Sequence, residues 1–558
     1  MQNKLQCDVL VIGGGAAATR AAIEASDNGA DVLMATKMEY GYGGSSFYAN
    51  SIPWGIMTAG EGEDAGKDFL EEIFHASCGC LDKKLAEILV FNSEERFREM
   101  VDYGIEFRNN DGTPCFGRKP RGALLVSMDN ARKCFREQIR KRGIRVIENL
   151  AVHDLIVMDQ ACYGALGTDR DGNLFVIGSK TAILASGGAE YLWEYGFANA
   201  DMTGDAYAMA ARHGVRLTNL EFIQFIPGVV SPLRRTNFHH PTLESLPLVL
   251  NSRGEEFLGK YLPEGVTVEE CLKARAGHGP FSYEDHSRYF DIAICREELK
   301  NRDDKHPGAE IRYGDAFYQD DRYKTWCEFL ASRDVDTRTQ NLWIYPHCQG
   351  FNGGILIDEH CATDIKNLYA CGECAGGPHG ANRIGGNAVL GTQVFGKIAG
   401  EQAARKSKNA GGYASDAGDI GKTLEASFDT GNISKIQPEE IMRYIKRIMQ
   451  ECAFIVRDGK KLQEGFEKLG QMQKEYNACQ YIGDPGTAGK ALNAYNSLLT
   501  GRAILYSMIN RRESRGSHYR ADFPEKNGEV FGSMAYVKMD KNSELKLYTK
   551  SNNKGEQK

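Results

Sequence analysis

The sequence predicts an α/β protein. A Rossmann-like domain is built from two separated chain segments, an α+β domain is inserted between them, and a helical domain follows. Three observations carry this. A strand–glycine turn–helix–strand pattern occupies residues 8–35. A second glycine-rich strand-to-loop region spans 368–387. Between them, 236–345 shifts in composition to Arg, Asp, Glu and His with long polar loops, and after Pro438 apolar residues recur at helical spacing. The expected boundaries are 1–235 and 346–408 for the two segments, 236–345 for the insert, and 436–558 for the helical domain with terminal strands.

Asp8-Val-Leu-Val-Ile12 is a short β-branched run ending at Gly13-Gly14-Gly15. Ala16–Ser26 reads as a small-residue helix with Gly29 as its C-cap, and Asp31–Ala35 as a second strand. The spacing Gly13-x-Gly15-x-x-Ala18 is that of a dinucleotide turn. The first glycine permits the tight turn. The second lets backbone approach a diphosphate, and the small third residue lets the helix pack on the sheet. The helix N-terminus then faces the anion. An NAD site would place an acid for the ribose at the end of the second strand. Thr36-Lys37 stands there, with Glu39 the nearest acid, which points toward FAD.

The loop Gly41-Tyr-Gly-Gly44-Ser45-Ser46 can press close to a flat ligand and donate hydrogen bonds. Thr181–Gly188 reads as a strand ending in two glycines, followed by Thr203-Gly204-Asp205 and a helix from Ala206 to His213. Gly353–Asp358 and Leu368–Ala370 read as strands. The second runs into Cys371-Gly-Glu373, where Glu373 is placed to take a ribose or ribityl hydroxyl, and a helix begins at Ala388. Residues 405–435 form a small, polar linker. Ile441, Ile445, Ile448, Cys452 and Ile455 fall at helical spacing, as do Leu492, Tyr495, Leu499, Ala503 and Tyr506. Strand-like alternation appears within 530–550, and 551–558 is a polar tail expected to fray.

With 558 residues the chain has room for about three to four domains. Hydrophobic residues at 42% and charged residues at 26% exclude wholesale disorder. A net charge of −7 disfavours nucleic-acid or anionic-membrane partners, because like charges repel. No apolar stretch is long enough to span a membrane. Val9–Ile12 is too short for a secretory signal, so a cytoplasmic location is expected. The 15 cysteines are odd in number and scattered, which argues for reduced thiols. The close pairs, Cys78/Cys80 and Cys371/Cys374, have no second pair at metal spacing and read as small buried side chains.

Three stretches in order resemble one family. They are the N-terminal turn, the run CGECAGGPHGANRIGGNAVLGTQVFGKIAG at 371–400, and ESRGSHYRADFPE at 513–525. Together they resemble the fumarate reductase/succinate dehydrogenase flavoprotein superfamily, which includes L-aspartate oxidase and the adenylylsulfate reductase α-subunit. The resemblance covers nearly the whole chain. It implies a two-part FAD-binding domain, an inserted capping domain and a helical domain. It also implies flavin contacts at Gly13, Gly15, Thr36, Lys37, Gly44, Ser45, Ser46, Ala185, Gly187, Asp205, Glu373, Asn387, Ala388 and Val389. Members with covalent FAD carry a His in the 45–46 region. Ser45-Ser46 stand there, so non-covalent FAD is expected.

The implied chemistry is hydride transfer between flavin N5 and a substrate carbon, usually across a C=C bond beside a carboxylate. Arg383 matches the carboxylate-binding Arg of H-G-A-N-R, and a planar guanidinium suits that grip. The family's second substrate ligand is a His four residues before a Gly-Gly pair. That position is Gln349, with His347 two residues earlier: either His347 reaches the substrate through a short insertion or Gln349 has replaced it, and His347 is the preferred ligand. The implied Arg proton donor falls on Leu243, and an implied His falls on Ile226. Two apolar positions favour a larger, less charged substrate than fumarate or L-aspartate. A replacement acid is sought among Arg275, His278, His286, Arg288 and Tyr289 of the insert.

No second strand–glycine–helix unit offers an NAD site, so electrons must come from an external donor such as a ferredoxin-like or iron–sulfur protein. The leading expectation is a reductase of small unsaturated organic acids or enones. The alternatives are an oxidase or adenylylsulfate-reductase-like flavoprotein with an iron–sulfur partner, and a flavoprotein that relays electrons without its own small substrate.

Overall fold

The computed structural model describes all residues except 1, 48–54, 61, 63, 110–123, 302–306, 411–435, 483, 541–543 and 550–558. Most of the expected linker and the whole 551–558 tail lie outside the described residues. Val9, Leu10, Val11 and Ile12 are all buried, so this run has no solvent face and belongs inside a parallel sheet. It is the end of strand β1 (Gln2–Ile12). β1 pairs in parallel with β2 (Val32–Thr36) on one side and with Leu174–Leu184 on the other. Arg145–Glu148 extends the sheet beyond β2, again in parallel. Ala161–Thr168 and Ala151–Met158 extend the other side as antiparallel strands. Leu368–Ala370, from the far side of the composition shift, joins parallel to Ala182–Leu184.

Helix α1 (Ala16–Asp27) connects β1 to β2 and packs on the long helix Asn387–Ser407. Small residues make that contact possible. A Cβ on Gly396 would stand 2.9 Å from the Arg20 Cβ and 3.0 Å from the Ala17 carbonyl oxygen. A larger side chain would push the two helices apart.

A second sheet runs in the order Ala375–Gly376, Gly354–Leu356, Leu217–Thr218, Tyr536–Met539, Leu545–Tyr548. The alternation near the C-terminus therefore belongs to a sheet begun at Leu217, not to a separate hairpin. A third, antiparallel sheet centres on Ile223–Ser231 and Leu342–Phe351. It is flanked by Thr236–Asn237, Ala309–Arg312 and Leu248–Leu250. Ile223–Ser231 precedes residue 236 and Leu342–Phe351 runs past 345. This sheet is thus built partly by chain outside the insert's expected limits.

Three helices, Pro438–Cys452, Gly459–Glu475 and Ala488–Asn510, pack together. The first opens with a capping box between Gln437 and Glu440 and with Pro438 in its first turn, a position where proline's missing N–H costs nothing. Buried ion pairs tie this region to the rest. Arg511 pairs with Glu221, at the start of the third sheet, and with Glu513 at 2.9 Å. Arg515 also pairs with Glu513, at 2.8 Å. Arg457 donates to the Glu221 carbonyl at 2.8 Å. Among the described residues no helix is long and apolar enough to cross a membrane.

Glu221→Gln leaves the buried Arg511 guanidinium with less compensating charge. The variant should lose about 3–5 kcal/mol, read as a lowered thermal midpoint, whereas the exposed pair-breaking Lys67→Ala should not shift it measurably.

Candidate active site

Parallel pairing brings several strand ends to one edge of the first sheet, and loops leaving those ends line a cleft of about 370 Å³. Gly13 opens the turn with φ +135°, and a Cβ there would overlap the Ala185 carbonyl oxygen. Only glycine fits. Gly15 is the N-cap of α1, and the Ala16 N–H donates to Ser46 Oγ at 3.1 Å. The α1 N-terminus thus faces the cleft with its positive dipole end.

At the end of β2, Thr36 and Lys37 line the cleft. Lys37 Nζ donates to Asp205 Oδ2 and Thr203 Oγ1, both at 2.8 Å, and to Asn493 Oδ1 at 2.5 Å. Asn493 comes from helix Ala488–Asn510, so the helical region holds Lys37, a residue of this wall, in place. Gly44 and Ser45 line the cleft too, and the Gly44 N–H donates to Asp201 Oδ2 at 2.8 Å. Ala185, Gly187 and Glu373 line the cleft as well. Glu373 Oε1 accepts from the Phe351 N–H at 3.0 Å. Ala388 and Val389 bring the N-terminus of Asn387–Ser407 to the same cavity.

Several buried polar atoms here have no hydrogen-bond partner: Ser186 Oγ, Asp201 Oδ1, Asp205 Oδ1, Gln349 Oε1 and Asn387 Oδ1. Buried polar groups are normally satisfied. A polyhydroxylated, diphosphate-bearing ligand would satisfy them, and the glycine cradle leaves room for its backbone approach. The residues present fit FAD.

Arg383 lines the cleft. Its Nη2 donates to Gln224 Oε1 at 2.6 Å and its Nη1 to the Ile384 carbonyl at 3.2 Å. Gln224 Nε2 returns a bond to the Arg383 carbonyl at 3.1 Å. Ile226, Asn237, Gln349 and His379 share the cavity. Burial, with Arg383 beside it, pulls His379 down to about 3. Its ring is neutral at pH 7.

Three expected residues are not in the cavity wall. Ala18 is buried inside α1, where it packs against the sheet. Asn387 is buried beside the cavity at its helix start. His347, the preferred substrate ligand, is also absent, and Gln349 lines the cleft instead. The His347 ring lies over Gly228, where a Cβ would fall 2.8 Å from its Cγ, and it stacks on Phe197 at 4.7 Å. Its Nδ1 bonds the Tyr345 carbonyl at 2.8 Å, and burial pulls it down to about 4. It is a neutral packing group behind Phe197, which itself lines the cleft.

Leu243 is not in the wall either. It is fully buried in the short helical turn His240–Ser245. Of the two apolar positions, Ile226 alone lines the cavity. None of the expected replacement acids lines the cavity. Arg275 is spent on Asp291 at 2.7 Å and on the His278 and Gly279 carbonyls. His278 is held by the Pro280 carbonyl and Asp285. Arg288 bonds Tyr289 and the Tyr283 carbonyl. His286 packs near Tyr289.

Sequence reasoning missed Phe197, Asp201 and Asn237. Phe197 and Asp201 sit on loops and Asn237 in a two-residue strand, too short for periodicity, and nothing in their spacing marks them.

Residues 8–389 match the FAD binding domain family, and 442–554 match the fumarate reductase flavoprotein C-terminal family. The chain is 29% identical to one of the subunits of the fumarate reductase (CoM/CoB) of Methanothermobacter marburgensis, over 95% of this chain and 97% of that one. It is 25% identical to the L-aspartate oxidase of Vibrio cholerae, over 94% and 97%. The E. coli quinol fumarate reductase FrdA shares the fold with a TM-score of 0.79 at 21% identity, covering 98% of this chain and 97% of that one.

Gly13→Val should yield protein with native far-ultraviolet circular dichroism but no bound flavin absorbance, because the added carbons occupy the turn. Retained yellow colour would refute the cradle. The matched families, together covering nearly the whole chain, and the glycine cradle at the strand ends lead to one conclusion: the chain belongs to the fumarate reductase/succinate dehydrogenase flavoprotein family and is an FAD-dependent oxidoreductase.

Proposed function

We propose that this oxidoreductase reduces, or in reverse forms, a C=C bond beside a carboxylate or carbonyl, on a substrate larger and less charged than fumarate. One observation carries the reading. Arg383 shares its cavity with the uncharged Ile226, Asn237 and Gln349, while the charged Lys37, Asp201, Asp205 and Glu373 of the same cleft belong to the residues that would hold FAD. Its fork suits one carboxylate or carbonyl. Gln224 holds it from both ends, so the grip is oriented before substrate arrives. Gln349 can donate or accept but brings no charge. A second carboxylate would find Ile226 where the family resemblance implies a histidine. Apolar carbon would be buried there instead, with a gain of about 25 cal/mol per Å².

Ser45 and Ser46 in the cleft support FAD held without a covalent link. FAD, when bound, supplies the hydride donor and acceptor at N5. Arg383 binds and orients the substrate. His379, neutral at pH 7, can hold a hydrogen bond on the same wall. The antiparallel sheet around Ile223–Ser231 and Leu342–Phe351 serves as the cap that carries Ile226 and Gln349 and excludes water. An external donor, ferredoxin-like or iron–sulfur, delivers electrons. Support comes from the single dinucleotide turn in this chain and from the Methanothermobacter relative being one part of a larger enzyme. The free cysteines among the described residues fit a cytoplasmic setting.

A second reading is electron relay to a partner without a small substrate. It is favoured because none of the insert's candidate acids reaches the cavity.

Arg383→Ala should keep its flavin and lose turnover by about 100-fold or more, the scale of a lost charge-assisted pair of hydrogen bonds. Unchanged turnover would sink the assignment. The dithionite-reduced protein, mixed anaerobically with fumarate and with larger enoates and enones, should reoxidise with one of the larger compounds and not with fumarate. Reoxidation by fumarate alone would overturn the substrate class, and reoxidation only by protein acceptors would establish the relay.

A further inference from the structure

Glu190 has no part in any role described above. It opens the short helical turn Glu190–Leu192, directly after Gly187-Gly188-Ala189. It is fully buried, and no hydrogen-bond donor among the described residues reaches either carboxyl oxygen. Gly188 makes its space: a Cβ there would fall 2.7 Å from Glu190 Oε1. Glu373, in the cleft wall, brings a second carboxyl to the same place. Its Oε2 lies 3.9 Å from where a Gly187 Cβ would stand, while Oε1 is held by the Phe351 N–H at 3.0 Å. Two acids therefore converge over one pair of adjacent glycines.

The surroundings offer them little positive charge. Asp201 and the Cys348 thiol lie nearby, and Tyr207 spends its hydroxyl on the Glu373 carbonyl at 3.2 Å. Lys37 is engaged by Asp205 and Asn493. Burial and the neighbouring Glu373 both push the Glu190 carboxyl well above the usual carboxylate range.

We propose that Glu190 is a positioning residue for the cofactor: it carries a proton that it shares with Glu373, and so fixes the Glu373 carboxylate toward FAD. Glu190 O–H donates to one oxygen of Glu373 and the Phe351 N–H to the other, which leaves Glu373 lone pairs aimed into the cleft. The inference rests on Glu373 touching FAD. It does not depend on the substrate. The sign follows from the raised affinity for the proton. The arrangement is intact at low pH and fails as pH rises and the proton leaves, because a fully buried carboxylate then faces the half-buried Glu373 carboxylate. FAD should loosen on the alkaline side.

The test uses the holoprotein and follows release of FAD by recovery of free-flavin fluorescence from mildly acidic to alkaline pH. Wild type should release faster at alkaline pH by about tenfold, the factor carried by one charge-assisted hydrogen bond. Glu190→Gln keeps a donor but cannot lose a proton, and its release should be flat with pH. Glu190→Ala should release faster throughout. A Glu190→Gln profile that follows wild type overturns the proposal. Should Glu190→Gln not fold, infrared spectra of wild type decide: a protonated-carboxyl C=O band at neutral pH is expected, and its absence overturns the proposal. Unchanged release in Glu373→Ala overturns the FAD contact on which the inference stands.

Discussion

Ile12 lies level with Ala35 on one side and with Leu184 on the other, and Leu184 is level with Ala370. Four parallel strands thus stop together, and each continues as a loop into the cleft. Gly13–Gly15 leaves β1, Thr36-Lys37 ends β2, Ala185–Gly187 leaves the third strand and Cys371–Glu373 the fourth. A slip of one residue in any pairing would move a loop by about 3.3 Å and turn its side chains to the other face. The buried Val-Leu-Val-Ile run fixes the register because no residue in it tolerates water. The cleft is therefore a consequence of core packing, and its chemistry depends on a hydrophobic constraint.

Electrostatics completes what the register begins. Two helix N-termini, those of α1 and Asn387–Ser407, converge on the cavity, together with Lys37 and Arg383. These charges suit an anionic cofactor and an anionic or polarisable substrate. Acidic groups on the same walls must then be paired or protonated. Asp205 pairs with Lys37, and Glu190 and Glu373 stand side by side. The helical region is part of this arrangement despite its distance in sequence. Asn493 holds Lys37, and Thr500 Oγ1 donates to the Gly204 carbonyl at 2.9 Å. The buried pairs of Arg511 and Arg515 keep that region in register with the third sheet.

The errors of sequence reading have physical causes. His347 and Gln349 are two residues apart and compete for one role. The strand pairs His347 with Ile226, and the missing Cβ of Gly228 lets the imidazole lie flat over the backbone and stack on Phe197. Gln349 is left to reach the cavity. No spacing rule contains the absence of a side chain on the neighbouring strand. Counting back from Asn251 puts Leu243 at the site, but a count along the chain ignores the helical turn that buries it. Chemical type alone singles out the candidate acids of the insert, and in the fold they are engaged with their own neighbours.

The sequence by itself determined what depends on local conformation. The Gly13–Ala18 turn, the strand before it, the helix after it and the second strand all follow from residues in contact within one βαβ unit. The same holds for the glycine-rich run from Cys371 to Gly386 and for the helical periodicity after Pro438. Only the tertiary structure decided which side chains face the cleft from long loops and from paired strands. Phe197, Asn237 and Gln349 enter the site, and Asn493 holds Lys37 there, by pairing or packing with chain far away in sequence. So does the meeting of Glu190 with Glu373. Those contacts are set by sheet register and by where glycines leave space, and neither is a property of any one segment.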